Sequence, residues 1–298
     1  MLVFSVINYF YAPHHEKITT MSYFNRCLRT TNLLLIFYFA MLLNAYAAPK
    51  ADLLPRWLAH DPSSTIQVDH SLWSQFLTTY LVSGKQNSAS LLRYAQVTLD
   101  DKAALKEYLQ TISATPMSQL NRTEQKASWI NIYNALTVNI ILEHYPLDSI
   151  KDISSSWFSS GPWDIKLITI EGENLSLNDI EHRILRPIWQ DNRVHYAINC
   201  ASMGCPNLQP QPFSADNCEQ LLNKAAKDFI NSPRAVRFVG EKLVLSRIYA
   251  WFHTDFGTND QQLLQHLQQY AAPNLAAKLE KYNGSIDYSY DWSLNAAN

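Results

Sequence analysis

The sequence predicts an α+β fold, predominantly helical with a small antiparallel sheet, arranged as a single domain. Three observations carry this. Apolar residues recur at helical spacing through most of the chain beyond residue 70. Strand signals are few and short. Helical and extended segments follow one another without the βαβ rhythm of a doubly wound sheet.

In chain order, residues 1–47 are set apart from the fold. Arg26 and Arg29 precede the apolar run 33–43, and Ala45-Tyr46-Ala47 follows it. That is the order of a basic region, a short apolar core and an A-x-A cleavage signal in a secretory signal peptide. The run is short for a membrane span. Met21 is the better start for such a signal, and an uncleaved anchor is the alternative. A periplasmic or secreted protein is expected, with no membrane attachment after cleavage. Residues 48–69 read as an extended lead-in, with Pro55 and Pro62.

The domain proper spans 70–298. Residues 71–82 carry Leu72, Trp73, Phe76, Leu77, Tyr80 and Leu81 at helical spacing. Residues 100–113 repeat the pattern, with Asp100 or Asp101 as cap. The longest helix is expected over 123–145, capped by Thr123 and ended by Pro146. Residues 163–170 alternate as a strand, and Glu171-Gly172-Glu173-Asn174 reads as a turn. Residues 176–185 return to helix, with Ser176 and Asp179 in a capping-box arrangement. Residues 193–199 are expected as a strand, 214–231 as a helix, and 236–239 with 243–245 as a hairpin. Helices over 260–270 and 274–281 and a last strand within 285–292 complete the chain.

Composition excludes several classes. The formal net charge is −2 and the pI near 6.5, so there is no basic stripe for nucleic acid. Seven glycines, none in a phosphate-binding loop, argue against nucleotide binding. No cofactor is expected.

The chemistry concentrates in Arg193-Val-His-Tyr-Ala-Ile-Asn-Cys-Ala-Ser-Met-Gly-Cys-Pro206. Small residues and Pro206 end the alternation, so Cys200 is expected at a strand end facing a cleft. Three cysteines follow the signal: Cys200, Cys205 and Cys218. An odd number leaves one thiol over in an oxidising compartment. Pairing Cys205 with Cys218 is favoured, since it leaves Cys200 free, although spacing does not dictate connectivity. No C-x-x-C redox pair is present. A zinc set of His195, Cys200, Cys205 and His253 is conceivable by residue type, but a second ligand pair is missing, and no metal is expected.

Several ordered phrases resemble a bacterial and plant family called domain of unknown function 547. They are Ala127-Ser-Trp-Ile-Asn-Ile-Tyr-Asn-Ala135, Tyr145-Pro146 with Ser149-Ile150, the segment 177–185 with Glu181, the His195 to Pro206 stretch, and Ser246-Arg-Ile-Tyr-Ala-Trp-Phe with Asp255-Phe256. The resemblance covers about residues 70–256. It implies a common fold and shared positions at Trp129, Asn131, Tyr133, Asn134, Glu181, His195, Cys200 and Pro206. It favours Cys200 over Cys205 for a shared role.

Two functions are expected. One is a cysteine-dependent hydrolase or acyl transferase with Cys200 as nucleophile, His195 as base and Glu181 as orienting group. On a straight strand His195 and Cys200 would face oppositely, which makes His253 the substitute base. The other is a non-catalytic module binding a peptide or small thiol compound in an aromatic cleft of Trp129, Tyr133, Trp251 and Phe252. Asn131, Asn134, Tyr133 and Trp251 are the candidate substrate contacts. Asn131 and Asn134 share a helix face, and local backbone fixing is the competing role for their amides.

Overall fold

The structure is a computed structural model that describes residues 50–84, 88–153 and 161–297. The signal-peptide expectation falls outside those residues. The described residues lie within one unit, Ala48–Asn298.

Helix α1 (Ser71–Tyr80) buries Trp73, Phe76, Leu77 and Tyr80, one apolar stripe of a 3.6-residue period. It runs into β1 (Leu81–Val82), which pairs antiparallel with β2 (Leu91–Leu92). Helix α2 (Leu99–Ser113) is capped by Thr98, whose side chain accepts from the Asp101 amide at 3.1 Å. The cap is therefore Thr98 rather than either aspartate: Asp101 occupies the third helical position and bonds back to the Thr98 hydroxyl.

Helix α3 (Arg122–His144) is the central element. It is capped by Asn121 rather than Thr123, the Asn121 oxygen accepting from the Glu124 amide at 3.0 Å. Its residues are buried on nearly every face, as for a helix packed all round. Trp129 is fully buried and meets Trp57 edge-on at 4.9 Å. Trp57 belongs to the lead-in, so that segment is part of the core. Backbone bonds from Asp52 and Leu54 to the carbonyls of His182 and Arg183 hold it there. Even the polar residues of α3 serve packing. Glu124 accepts from the amides of Val68 and Ala215 at 2.7 and 3.0 Å.

Strands β3 (Ile168–Ile170) and β4 (Glu173–Leu175) form a hairpin across Glu171-Gly172. Ser176 and Asp179 then exchange hydrogen bonds in the capping-box manner. The helix that follows widens into a π-helical segment, Asp179–Leu185, before α4 (Arg186–Trp189). Such wide turns recur at functional sites.

The expected strand over 193–199 is instead a short helix, α5 (Val194–Ala197), followed by extended backbone. Two causes are visible. The Asp191 carboxylate accepts from the Arg193 amide and Nε at 3.0 and 2.9 Å, which starts a helical turn. All four α5 residues are buried, so apolar alternation there reports burial on every side rather than a pleated face.

Helix α6 (Cys218–Ile230) buries Leu221, Leu222, Ala225, Ala226, Phe229 and Ile230. Strands β5 (Val236–Val239) and β6 (Lys242–Ser246) form the expected hairpin, with Gly240 at φ +60° in its turn. Short helices α7 (Ile248–Trp251) and α8 (His253–Phe256) lead to α9 (Asp260–Tyr270) and α10 (Pro273–Glu280). Strand β7 (Ile286–Ser289) joins β6 in parallel, so this small sheet is mixed. Among the described residues no helix is long and apolar enough to cross a membrane.

Candidate functional site

Helix α3 positions the site by holding the 197–213 backbone. The Asn134 amide donates to the Ala197 carbonyl at 2.9 Å and accepts from the Asn199 amide at 2.8 Å. Asn131 does the same at Phe213, at 2.7 and 3.0 Å. Both side-chain amides are thus occupied at both ends by backbone. Asn131 also donates to His70 Nε2 at 3.2 Å. This leaves the His70 proton on Nδ1, facing the Tyr108 hydroxyl at 2.8 Å.

The polar residues around this backbone form two neighbouring regions. The first is a buried charge cluster around His195, whose side chain is 2 % exposed. Its Nε2 lies 2.8 Å from Asp255 Oδ2, and its Nδ1, which has no hydrogen-bond partner, lies 3.6 Å from Glu181 Oε1. Arg186 binds Asp255 bidentately, at 2.6 and 3.0 Å. Arg186 also donates to His182 Nδ1 at 3.1 Å, which fixes His182 as a neutral acceptor. Tyr133 donates to Glu181 Oε2 at 3.2 Å. Phe252 closes the cluster: His195 stacks on it at 4.0 Å and Arg186 lies 5.0 Å from its ring centre.

The protonation pattern follows. Burial alone would push the His195 imidazole down, but hydrogen bonding to Asp255 and the Glu181 charge outweigh it, and the pKa is raised. Burial would raise Asp255, yet His195 and Arg186 hold its carboxyl well below the usual carboxylate range. Glu181 is lowered against its own burial by His182, His195 and Arg186. Two carboxylates thus face one guanidinium and one imidazole whose charged form they favour.

The second region is the loop after Asn199. Cys200 and Cys205 form a disulfide, with Cα atoms 6.2 Å apart. This corrects the favoured pairing of Cys205 with Cys218. Ala201 takes the left-handed conformation, φ +58°, and turns the chain back so that the two cysteines meet. Cys218 instead begins α6 as a buried free thiol, pushed up to about 11 chiefly by that burial.

Hydroxyls surround the sulfurs. Cys200 Sγ lies 3.1 Å from the Tyr290 hydroxyl and 3.3 Å from Ser202 Oγ. Cys205 Sγ accepts from Tyr290 at 3.3 Å and from the Cys200 amide at 2.9 Å. A disulfide sulfur carries no hydrogen, so the hydroxyls are the donors. The segment after β7 straps the loop in place: the amides of Met203 and Gly204 donate to the carbonyls of Ser293 and Asp291, both at 2.8 Å. Gly204 is needed for this approach, since a Cβ there would meet Asp291 backbone atoms at 2.9 Å. Arg234 donates to the Met203 and Cys205 carbonyls from the other side.

Four half-buried aromatic rings gather beside the disulfide. Tyr290 lies 4.9 Å from Trp251 and 4.6 Å from Trp292. Trp292 also meets Trp251 at 5.5 Å and Trp163 at 5.7 Å. The two regions adjoin, because Tyr290 senses the charge of Glu181 and lies close to Tyr133.

Of the expected catalytic trio, the structure brings Glu181 and His195 together. The bonding partners of Cys200 Sγ are Cys205, Ser202 and Tyr290. His253 faces Asp260, 3.5 Å away. Among the expected aromatic contacts, Trp251 joins the ring group, Tyr133 and Phe252 belong to the charge cluster, and Trp129 is core. His195 and the two cysteines of the conceivable zinc set are committed to carboxylates and a disulfide. Among the described residues no three His, Cys, Asp or Glu side chains are placed to hold a metal ion. Sequence reasoning missed Tyr290, Ser202 and Trp292 as neighbours of Cys200, and Asp255 as the shared partner of His195 and Arg186. Asp255 stood within a family-like phrase. Tyr290 carried no signal, being ninety residues from Cys200 with no spacing rule between them.

Residues 117–230 match the model of the family described as Protein of unknown function, DUF547. The matched stretch contains α3, Glu181, His195 and both cysteines of the disulfide. Asp255, Trp251 and the Tyr290 strap lie beyond it. No curated protein and no solved structure matches the chain.

Proposed function

We propose that the chain is an exported binding protein that holds a peptide or small thiol compound on the Trp163, Trp251, Tyr290 and Trp292 rings, beside the Cys200–Cys205 disulfide. The observation that carries this reading is the grouping of those rings. Each is half-buried, each packs tilted or edge-on against another of the four, and hydroxyls from Tyr290 and Ser202 stand at their edge. Rigid aromatic faces with a few placed polar groups are the composition of a small-ligand site. A cysteine hydrolase is the weaker reading, because both His195 nitrogens face carboxylates and Cys200 is paired. Export is supported by Arg26, Arg29, the 33–43 run and Ala45-Tyr46-Ala47. Intact mass of protein from the native host tests it, and a mature form that retains 33–43 refutes cleavage.

Binding is tested by tryptophan fluorescence, titrating with S-methylglutathione, a tripeptide whose sulfur cannot exchange. A saturable change is expected. Trp251→Ala, which removes one stacking face, should weaken it about tenfold. A flat titration of the wild-type chain, repeated with unrelated tripeptides, would sink the reading.

A further inference from the structure

We infer that the Cys200–Cys205 disulfide is a working exchange site for low-molecular-weight thiols, attacked at Cys200 with Cys205 as the leaving sulfur. The inference deepens the binding reading by naming the ligand class, and rests on it for delivery of the thiol.

The two sulfurs are unequal. Cys200 is half-buried, whereas Cys205 is 5 % exposed. An incoming thiolate therefore reaches Cys200. The Tyr290 hydroxyl stands by both sulfurs, at 3.1 Å from Cys200 and 3.3 Å from Cys205, but the departing sulfur alone also accepts from a backbone amide, that of Cys200 at 2.9 Å. Donors on a leaving thiolate lower its basicity and speed exchange. Burial holds the Tyr290 phenol well above its ordinary value, so it stays protonated and able to donate. Ser202 Oγ, 2.9 Å from that phenol, can take up whichever role Tyr290 releases.

The backbone around the pair is fixed independently of the disulfide. Asn134 holds Asn199, the Ala201 carbonyl accepts from Asn295 at 3.1 Å, and the strap and Arg234 hold 203–205. Opening the S–S bond leaves the two thiols poised to reclose. Cys218 stands outside this cycle, buried in the core.

The step balances without an added oxidant. The small thiol loses its proton to solvent, its sulfur bonds to Cys200 Sγ, and the Cys200–Cys205 bond breaks with its electron pair on Cys205. A second molecule of thiol then attacks the mixed disulfide. It releases the oxidised small disulfide and leaves both cysteines reduced, so two thiols are oxidised as one protein disulfide is reduced.

The test uses the folded chain and reduced glutathione at neutral pH, with timed acid quench, iodoacetamide alkylation and peptide mass analysis. A glutathione adduct on Cys200 with an alkylated Cys205 is expected. Cys205→Ala should retain the adduct as a stable product after reaction with oxidised glutathione. Tyr290→Phe should slow adduct formation about tenfold at saturating thiol. An adduct on Cys205, equal labelling of both sulfurs, or an adduct formed only after denaturation would overturn the inference. Saturable S-methylglutathione binding without exchange would sink the exchange and leave the binding reading standing. Exchange at Cys200 with a rate linear in glutathione and no S-methylglutathione binding would support the exchange and sink the binding reading.

Discussion

The His195 cluster and the Cys200 loop sit side by side and use their polar groups in opposite ways. In the cluster both carboxylates are already answered. Asp255 takes Arg186 and His195, and Glu181 takes Tyr133 and the other face of His195. In the loop, hydroxyls from Tyr290 and Ser202 lean on two sulfurs that have little to give in return. Helix α7 and its cap divide the same way, with Trp251 on the ring group and Phe252 on the cluster. A histidine's type does not make it a base. Its availability depends on what holds its two nitrogens, and here both face carboxylates.

The largest effect that separates the regions is expected at Asp255. Asp255→Ala removes the carboxylate shared by Arg186 and His195 and leaves the Arg186 guanidinium buried beside His195 without its counter-charge. Asp255 is partly solvated, so a loss of about 3 kcal/mol is expected, the low end for breaking a buried pair. Urea unfolding of wild type and variant measures it. A shift below a few tenths of a kcal/mol would mean that the cluster is not structural.

How much of this was legible beforehand follows from the physics of each signal. The helix over 260–270 and the 236–245 hairpin were plain, because one face of each is wet and the period survives. The 193–199 segment misled, because full burial erases the contrast on which the period depends. The caps at Thr98 and Asn121 were missed by two or three residues, since several polar residues crowd each boundary and local sequence does not rank them. Glu181 and His195 were legible by residue type. Their partner Asp255, like Tyr290 for Cys200, is joined only by the tertiary fold.

A middling effect should come with pH, from histidines outside both regions. Burial lowers His70 and His266 from 6.5 to about 4. Between those values the unfolded chain takes up protons that the native chain refuses, so stability falls as pH drops from about 6.5 to about 4. Up to about 3 kcal/mol per histidine is at stake. His195 has the opposite sign. Its raised pKa adds stability in full below 6.5, lost as pH climbs past the native value. Asp255 adds stability above about 3.8, lost below it. Urea midpoints across pH 4 to 8 should therefore fall on the acid side in the wild type. His70→Gln, which cannot be protonated, should shallow that limb. An acid limb unchanged in the variant would remove His70 from the account.

The smallest expected effect sharpens the comparison most. If His195 belongs wholly to the charge cluster, it has no part in the chemistry at Cys200. After reduction, the pH at which Cys200 is half-alkylated by iodoacetamide should be the same in His195→Gln as in wild type. Glutamine keeps a donor for Asp255 and limits the loss of packing against Phe252. Tyr290→Phe should move that midpoint upward, because a hydroxyl beside both sulfurs is gone. Measuring both variants together matters, since a change in general opening of the fold would move both in the same direction. An upward shift in His195→Gln, with Tyr290→Phe unmoved, would return His195 to the thiol as its base and merge the two regions into one catalytic site.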